Sequence, residues 1–174
     1  MLLRNKMPIA FPKPPKREKK VKIRLPKVKT TSIGKLKTKA WDSFSRLIRL
    51  RDCLLTTKSQ TLGKCYTCPR IKEFKGLQAG HFIQGRHNIN LFDPRGCHAQ
   101  CYYCNMQLRG NLLRYYYMMK LDYGEKVIKE LDINDQQNHD FTVEELEDKI
   151  QRFEQGYQDL LSGKKQPIAF LQTV

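Results

Sequence analysis

The chain has no long apolar segment. Its longest run of apolar residues is the five at 115–119 of 174, whereas a membrane-spanning helix needs about 20. The first residues carry charge and are followed by Pro and Lys, where a secretory signal would need an apolar stretch. These absences exclude an integral membrane protein, and we expect a cytoplasmic protein with no membrane partner.

Acidic residues are almost absent from the first 40 positions. That stretch holds 14 of the 33 Lys and Arg, five of the eight Pro and one Glu, and it supplies most of the formal net charge of +16. This stretch has few large apolar side chains whose burial could offset the conformational entropy lost on folding. We predict that residues 1–38 form a disordered basic arm that binds nucleic acid. Binding is favoured because the basic residues displace counterions from the phosphate backbone. A solubilising tail, or one attracted to anionic membranes, is the alternative. The candidate phosphate contacts are Lys19, Lys20, Lys22 and Arg24.

Hydrophobic periodicity indicates an α+β domain over residues 39–135. Apolar residues from Lys39 onward recur at three- and four-residue spacing, which predicts an amphipathic helix of about four turns with an arginine-bearing face. Two short strands, 71–74 and 77–83, are predicted to form a hairpin that turns at 75–76. A helix over 112–121, with a Tyr and Met cluster predicted to be core, should end at Gly124.

A last helix is predicted over residues 140–162. Thr142 and Glu145 have the spacing of a capping box, and apolar residues follow on one face. This helix could dock on the domain or recruit a partner protein, and residues 163–174 are predicted to be a loose tail.

Six cysteines in a chain with no export signal are not expected to form disulfides. Four of them form two C-x-x-C knuckles, Cys65–Cys68 and Cys101–Cys104, which 32 residues separate. Four thiolates at about 2.3 Å are the preferred tetrahedral ligands of zinc. Such a closed site has no position for substrate, so the zinc should be structural; a redox dithiol is the alternative for either knuckle alone. Cys53 is expected to be a small buried residue. Cys97, four residues before Cys101, is the alternative ligand that could replace one of the four knuckle cysteines.

Residues suited to phosphodiester hydrolysis lie between and just after the knuckles. His81 falls near the end of a predicted strand, and Asn105 follows the second knuckle, so the two could meet across the metal site. A neutral imidazole can take a proton from water near pH 7. A hydrogen-bonded structural histidine is the alternative interpretation of His81.

Several fixed spacings agree at once with one family. QAGHF at 78–82, HAQCYYCN at 98–105, GNL at 110–112 and YG at 123–124 resemble the NinG/Rap recombination proteins of lambda-like phages. These proteins are similar to zinc-stapled HNH, or ββα-metal, endonucleases, and the resemblance covers about residues 41–131. It implies a small ββα-metal core flanked by helices, with His81 as general base and Asn105 as a ligand of a catalytic Mg²⁺-like ion.

Two positions depart from the wider HNH pattern. Gly80 stands where that pattern often has an acidic metal ligand, and Gly96 stands where it has a central Asn. His98 is the first candidate to supply the missing ligand or hydrogen bond, and a structural role in the loop is its alternative. The other candidates are Asp93, Asn88 and Asn90.

The resemblance implies a metal-dependent endodeoxyribonuclease that acts on branched recombination intermediates such as Holliday junctions. Its products would carry 5′-phosphate and 3′-hydroxyl ends. Four arginines near the site would position phosphates: Arg86, Arg95, Arg109 and Arg114. A homodimer would suit a two-fold symmetric junction. The alternatives are a non-catalytic zinc module that binds nucleic acid, and a scaffold whose last helix recruits a recombination partner.

Overall fold

A computed structural model of the chain describes residues 32–85 and 89–167. These residues form three helices, α1 (Ile33–Thr57), α2 (Leu112–Asp135) and α3 (Val143–Leu161). They also form four short strands, β1 (Leu62–Lys64), β2 (Ile71–Glu73), β3 (Leu77–His81) and β4 (Cys97–Cys101). The predicted α+β class is therefore confirmed. Across the described part of the chain, no helix combines the length and apolarity needed to span a bilayer.

Helix α1 is longer than the sequence pattern predicts. It begins at Ile33, so residues 33–38, which were assigned to the basic arm, are helical. Residues 1–31 lie outside the described residues. The helix ends where Lys58 adopts a left-handed conformation with φ 60°. Its buried face includes Ala40, Phe44 and Ile48, which form one core cluster with residues of α3.

The strands pair differently from the predicted hairpin. β2 pairs antiparallel with β1, and β3 pairs antiparallel with β4. The 3₁₀ turn Phe74–Gly76 therefore joins strands of two separate sheets rather than closing a hairpin. All three residues of β2 are exposed, whereas every residue of β4 is buried. Pairing with β4 thus gives β3 a buried neighbour that a local hairpin could not offer.

Strand alternation gives the β3–β4 sheet two different faces. Leu77 packs near Cys53 of α1, and Ala79 packs against the core that α1 and α3 share. Gln78 and Gly80 belong to the other face, towards the π-helical turn Tyr103–Gln107. Leu77 and Ala79 therefore face α1, whereas Gln78 and Gly80 face the segment that follows the second knuckle.

Helix α2 changes direction at Gly124, as predicted, because this residue has φ 76° and ψ 172° inside the helix. The predicted aromatic core is only partly correct. Tyr115 and Met119 are buried, but Tyr116 and Tyr117 are exposed. Only one side of α2 meets the domain, so its consecutive tyrosines cannot all be buried.

Helix α3 begins with the predicted capping box. The Thr142 side chain accepts from Glu145 N, and Glu145 Oε2 accepts from Thr142 N at 2.8 Å. Leu146 and Ile150 of α3 are buried in the core cluster that includes α1. The last helix therefore docks on the domain, and a partner protein would have to use its polar face.

Candidate metal centre

The four knuckle cysteines come together as their spacing predicts. The sulfur atoms of Cys65, Cys68, Cys101 and Cys104 all lie within 4.8 Å of one another. Cys68 Sγ is 3.8 Å from Cys101 Sγ, which is about the sulfur separation in a tetrahedral zinc site with bonds of about 2.3 Å. This sulfur cage has the donor set and spacing to hold one metal ion such as zinc.

Polar groups surround the sulfur cage. Thr67 Oγ1 lies 3.7 Å from Cys65 Sγ, and Asn111 Nδ2 lies 3.9 Å from Cys104 Sγ. Asn111 Nδ2 also donates to Thr67 O at 3.2 Å, which ties the start of α2 to the first knuckle. Donors of this kind orient metal ligands and stabilise thiolate charge.

The other two cysteines are core residues. Cys53 and Cys97 are both fully buried, and Cys97 belongs to the core cluster that α1 and α3 form. Burial raises the pKa of Cys53 to about 11, and burial also raises the pKa of Cys97. Both thiols therefore stay protonated at neutral pH, and Cys97 does not join the sulfur cage.

His98 is not placed to ligate a catalytic ion, and that prediction was wrong. Its ring is buried and stacks on Tyr66 with centroids 3.8 Å apart. Nδ1 lies 3.0 Å from Arg51 Nη2 and 3.3 Å from Asp52 Oδ2, while Nε2 lies 3.2 Å from the Tyr123 hydroxyl. Protein groups thus occupy both ring nitrogens. Burial lowers the pKa of His98 and keeps the ring neutral.

The partners of His98 form a buried ion pair that the sequence analysis missed. Arg51 Nε lies 2.7 Å from Asp52 Oδ1, and Arg51 also donates to the carbonyls of Pro94 and Cys97 at 2.7 and 2.8 Å. Asp52 Oδ2 accepts from Ala99 N at 2.6 Å. Arg51 therefore is neither a solvated nor a phosphate-binding residue; the pair anchors β4 to α1.

Neighbouring polar and charged side chains explain why the buried Asp52 is ionised. Burial alone would raise its pKa, but Arg51 and His98 outweigh burial and hold the pKa of Asp52 well below its usual range. A sequence signal for this pair exists. Arg51 and Asp52 fall seven and eight residues after Phe44, on the same helical stripe as the apolar core.

His81 is the last residue of β3 and is half-buried. Its ring stacks on Trp41 of α1 with centroids 4.8 Å apart, and Nε2 lies 3.0 Å from Leu91 O. Because a carbonyl oxygen only accepts, Nε2 carries the proton in this arrangement, and the lone pair of the neutral ring lies on Nδ1. The contact thus orients the imidazole ring.

Asn105 approaches β3 from the opposite face. Its Nδ2 donates to Gln78 Oε1 at 2.8 Å, and its Oδ1 lies 2.8 Å from the position of a Cβ built on Gly80. Strand alternation places His81 on the face that α1 covers. The sequence analysis expected His81 and Asn105 to share one pocket. Instead, His81 faces α1, while Asn105 contacts the neighbouring residue, Gly80, from the opposite face of β3.

Gln100 is a second residue that the sequence analysis missed. Its Nε2 donates to Thr67 Oγ1 at 2.9 Å and to Gly110 O at 2.8 Å. Its Oε1 is buried, and no donor among the described residues reaches it. A Cβ on Gly80 would collide with this oxygen. The glycine that departs from the HNH pattern is therefore required by the packing of Gln100.

The remaining candidate ligands have structural partners. Asp93 accepts from Arg95 N at 2.8 Å and caps the 3₁₀ turn Pro94–Gly96. Asn90 is buried, and its Nδ2 donates to Leu131 O at 2.7 Å. Asn88 lies outside the described residues.

The predicted phosphate-binding arginines divide into two groups. Arg95 is paired with Asp93 at 2.8 Å and with Glu130 at 2.9 Å, so its charge is already compensated by two carboxylates. Arg109 and Arg114 are exposed and can reach a polyanion. The other predicted contacts lie outside the described residues: Lys19, Lys20, Lys22, Arg24 and Arg86.

Comparison with known proteins assigns the chain to a family. The family model described as "Bacteriophage Lambda NinG protein" matches residues 12–162. The chain belongs to the NinG family. It is 28% identical over 103 residues to Protein ninG of Escherichia phage 933W, and equally to Protein ninG of Enterobacteria phage VT2-Sa. Each alignment covers 59% of this chain and 50% of the relative, so this NinG-family chain spans about half the length of the curated relatives it matches. No solved structure matches it.

Proposed function

We propose that this NinG-family chain is a metal-dependent endodeoxyribonuclease that cuts branched DNA, with a structural zinc in the sulfur cage. One observation carries the proposal. The sulfur cage joins the β3–β4 sheet to the turn Tyr103–Gln107, so that His81 ends β3 and Asn105 contacts Gly80, the residue before it. The order of strand, strand and helical turn supports the ββα-metal arrangement that the resemblance implies.

Zinc is the metal that suits the sulfur cage. Its four donors are all sulfur, and soft thiolates with tetrahedral spacing select zinc over hard cations. Three of the four cysteines are buried, which agrees with a closed site. The ion would therefore hold the fold, and the hydrolytic chemistry would use other residues.

The amide oxygen of Asn105 suits a hard divalent cation. Asn105 Oδ1 lies beside Gly80 at the end of β3, and oxygen is the donor that Mg²⁺ prefers. Asn105 would hold such an ion. When bound, the cation neutralises negative charge that develops on the leaving 3′ oxygen.

The chain's own residues would perform the proton transfer. The His81 ring is oriented by Leu91 O and Trp41, and it would take a proton from the attacking water. Arg109 and Arg114 would position the DNA backbone. Hydrolysis with 3′-oxygen departure leaves 5′-phosphate and 3′-hydroxyl ends.

A second candidate function is non-catalytic binding of nucleic acid. It is favoured by an exposed surface of aromatic and aliphatic residues near exposed arginines, because base stacking and phosphate contacts both favour DNA binding. Arg70 lies 4.7 Å from the centroid of the exposed Tyr103 ring. Helix α2 also exposes Leu113, Tyr117 and Leu121 at four-residue spacing.

Cleavage of a labelled four-way junction separates the two functions. We expect wild-type protein to cut the junction only with Mg²⁺, and His81→Ala to bind the junction but cut it at least about 100-fold more slowly. His139→Ala is the matched control, because His139 pairs with Glu145 near the start of α3. Equal cleavage by His81→Ala would reject His81 as the base. Binding without cleavage by the wild type would favour the second function.

A further inference from the structure

We propose that the N-terminal half of α1 is one wall of the DNA-binding site, where Lys37 binds a phosphate of the strand that lies beside His81. The inference rests on the proposed nuclease function. It adds a subsite outside the ββα-metal core and gives one phosphate contact a fixed position relative to the base. The sequence analysis placed Lys37 in a disordered arm, whereas the structure places it on a helix.

An open pocket lies between the start of α1 and the 3₁₀ turn Ile89–Phe92. Its volume is about 200 Å³, which is room for a sugar-phosphate unit of one strand. Four residues of α1 and one of the turn line it: Gly34, Lys37, Thr38, Trp41 and Leu91. The four helix residues recur at three- and four-residue spacing, so they share one face of α1.

The pocket adjoins the proposed general base. Trp41 stacks on the His81 ring with centroids 4.8 Å apart, and Leu91 O lies 3.0 Å from His81 Nε2. Lys37 comes one helical turn before Trp41, which is about 6 Å along the helix axis. Successive phosphates of a DNA strand are about 3.4 Å apart along the duplex axis. A strand that is cut at His81 therefore brings a nearby phosphate within reach of Lys37.

The charge of this wall complements DNA. Lys37 Nζ lies 5.4 Å from the centroid of the Phe141 ring, a contact that holds the ammonium group without neutralising it. Lys37 forms no ion pair within residues 32–85 and 89–167. Residues 32–41 contain three lysines and no acidic residue. A polyanion thus meets an uncompensated positive charge at this pocket.

Gly34 keeps the pocket open. A Cβ built on this residue would meet nothing within 4 Å, so the fold has space for a side chain here. A large side chain at position 34 would enter the pocket without disturbing the core. Because Leu is a better helix former than Gly, such a variant should fold, which makes it a direct probe of the pocket.

Salt dependence of junction binding tests the role of Lys37 without relying on cleavage. The proteins are zinc-loaded full chains without added Mg²⁺, and the DNA is a four-way junction. Each phosphate contact steepens the plot of log affinity against log salt by about 0.9. Between 50 and 200 mM salt, the wild type should therefore lose about 3.5-fold more affinity than Lys37→Gln.

Lys35→Gln is the matched control, because Lys35 is exposed and does not line the pocket. This variant should keep the slope of the wild type. Equal slopes for Lys37→Gln and Lys35→Gln would overturn the assignment of Lys37.

Fluorescence of Trp41 tests occupation of the pocket, because this residue is the chain's single Trp. We expect the junction to change the Trp41 emission, and Gly34→Leu to remove most of this change and to weaken binding about threefold or more. Gly34→Ala adds only a methyl group and should keep most of the change. Unaltered emission change and affinity in a folded Gly34→Leu protein would exclude DNA from the pocket.

The two proposals fail in different ways. Cleavage by the wild type with Mg²⁺, together with a full salt slope in Lys37→Gln, would reject the α1 wall alone. Junction binding that depends on Lys37, without cleavage by the wild type, would reject the nuclease function and support α1 as a DNA-binding wall.

Discussion

The sulfur cage and the end of β3 are neighbouring regions with opposite properties. The cage collects four donors that become thiolates on binding a metal ion, and these suffice for a closed tetrahedral site. The end of β3 has the neutral amide of Asn105 beside a glycine, where the HNH pattern often has a charged ligand. The cage therefore offers a full set of protein donors, whereas the end of β3 does not. In the proposed function the cage holds the structure and the end of β3 acts on DNA.

Removal of the cage metal should have the largest effect, because it breaks both sites. Binding of structural zinc contributes about 10–16 kcal/mol in small zinc domains, and the cage here joins β4 to the turn that carries Asn105. We expect a strong chelator, or Cys101→Ser, to unfold the β3–β4 region cooperatively. Circular dichroism with metal analysis would follow this change.

Cys53→Ala is the control for that prediction. Cys53 is buried but lies outside the sulfur cage, so its loss should reduce stability moderately and leave one zinc per chain. A Cys101→Ser protein that keeps both its zinc and its fold would contradict the structural role of the cage.

The Asp52→Asn substitution tests the α1–β4 contact separately, because Asp52 belongs neither to the sulfur cage nor to the end of β3. It leaves the Arg51 charge buried without its partner, and loss of one partner of a buried pair costs about 3–5 kcal/mol. We expect that decrease in the free energy of unfolding in urea, with zinc content unchanged. Asp42→Asn, at an exposed position of the same helix, should change stability little. A similar small effect at both positions would show that the buried pair does not anchor β4.

Acid should weaken the α1–β4 contact through His98. Burial lowers the pKa of His98 below its ordinary value, so the unfolded chain binds this proton more readily than the folded chain. Stability is then full above about pH 6.5 and falls as the pH decreases, by at most about 1.4 kcal/mol per pH unit. Urea unfolding at several pH values would measure the slope.

His98→Gln separates this titration from protonation of the sulfur cage. Both proteins keep the four cysteines, so the cage contributes equally to each slope. The wild type should lose more stability than His98→Gln between pH 7 and pH 5. Parallel curves would show that His98 does not contribute.

The smallest predicted effect lies far from both sites along the chain. Thr142→Ala removes the cap of α3 and should cost about 1 kcal/mol. Thr142→Ser keeps the hydroxyl and should recover most of this loss. Thermal unfolding would measure both, and the affinity for zinc should not change. A changed zinc affinity would show that the sulfur cage depends on the packing of α3.

Features set by residues close together in sequence could be predicted. The two knuckles have the C-x-x-C spacing of zinc ligands, Thr142 and Glu145 have the spacing of a capping box, and Gly124 ends the regular helix. Each depends on hydrogen bonding, ligand spacing or backbone freedom within a few residues. The family was also accessible, because several such short motifs agree in order.

Features set by distant contacts were missed. The partner of β3 is β4 rather than β2, and that pairing places His98 against α1. Periodicity gives the spacing of residues along one element but not the partner that faces them. The contact between Gln100 and Gly80 likewise could not be predicted, because the two residues lie on strands that pair across the sheet. Long-range pairing therefore accounts for the errors in the predicted site.

The most direct test of the account is cleavage of a four-way junction by zinc-loaded wild-type protein over a Mg²⁺ titration. The account predicts no cutting without Mg²⁺, and cutting that saturates as Mg²⁺ rises. The products should carry 5′-phosphate and 3′-hydroxyl ends. A protein that holds one zinc and binds the junction, yet leaves it intact at every Mg²⁺ concentration, would contradict the account.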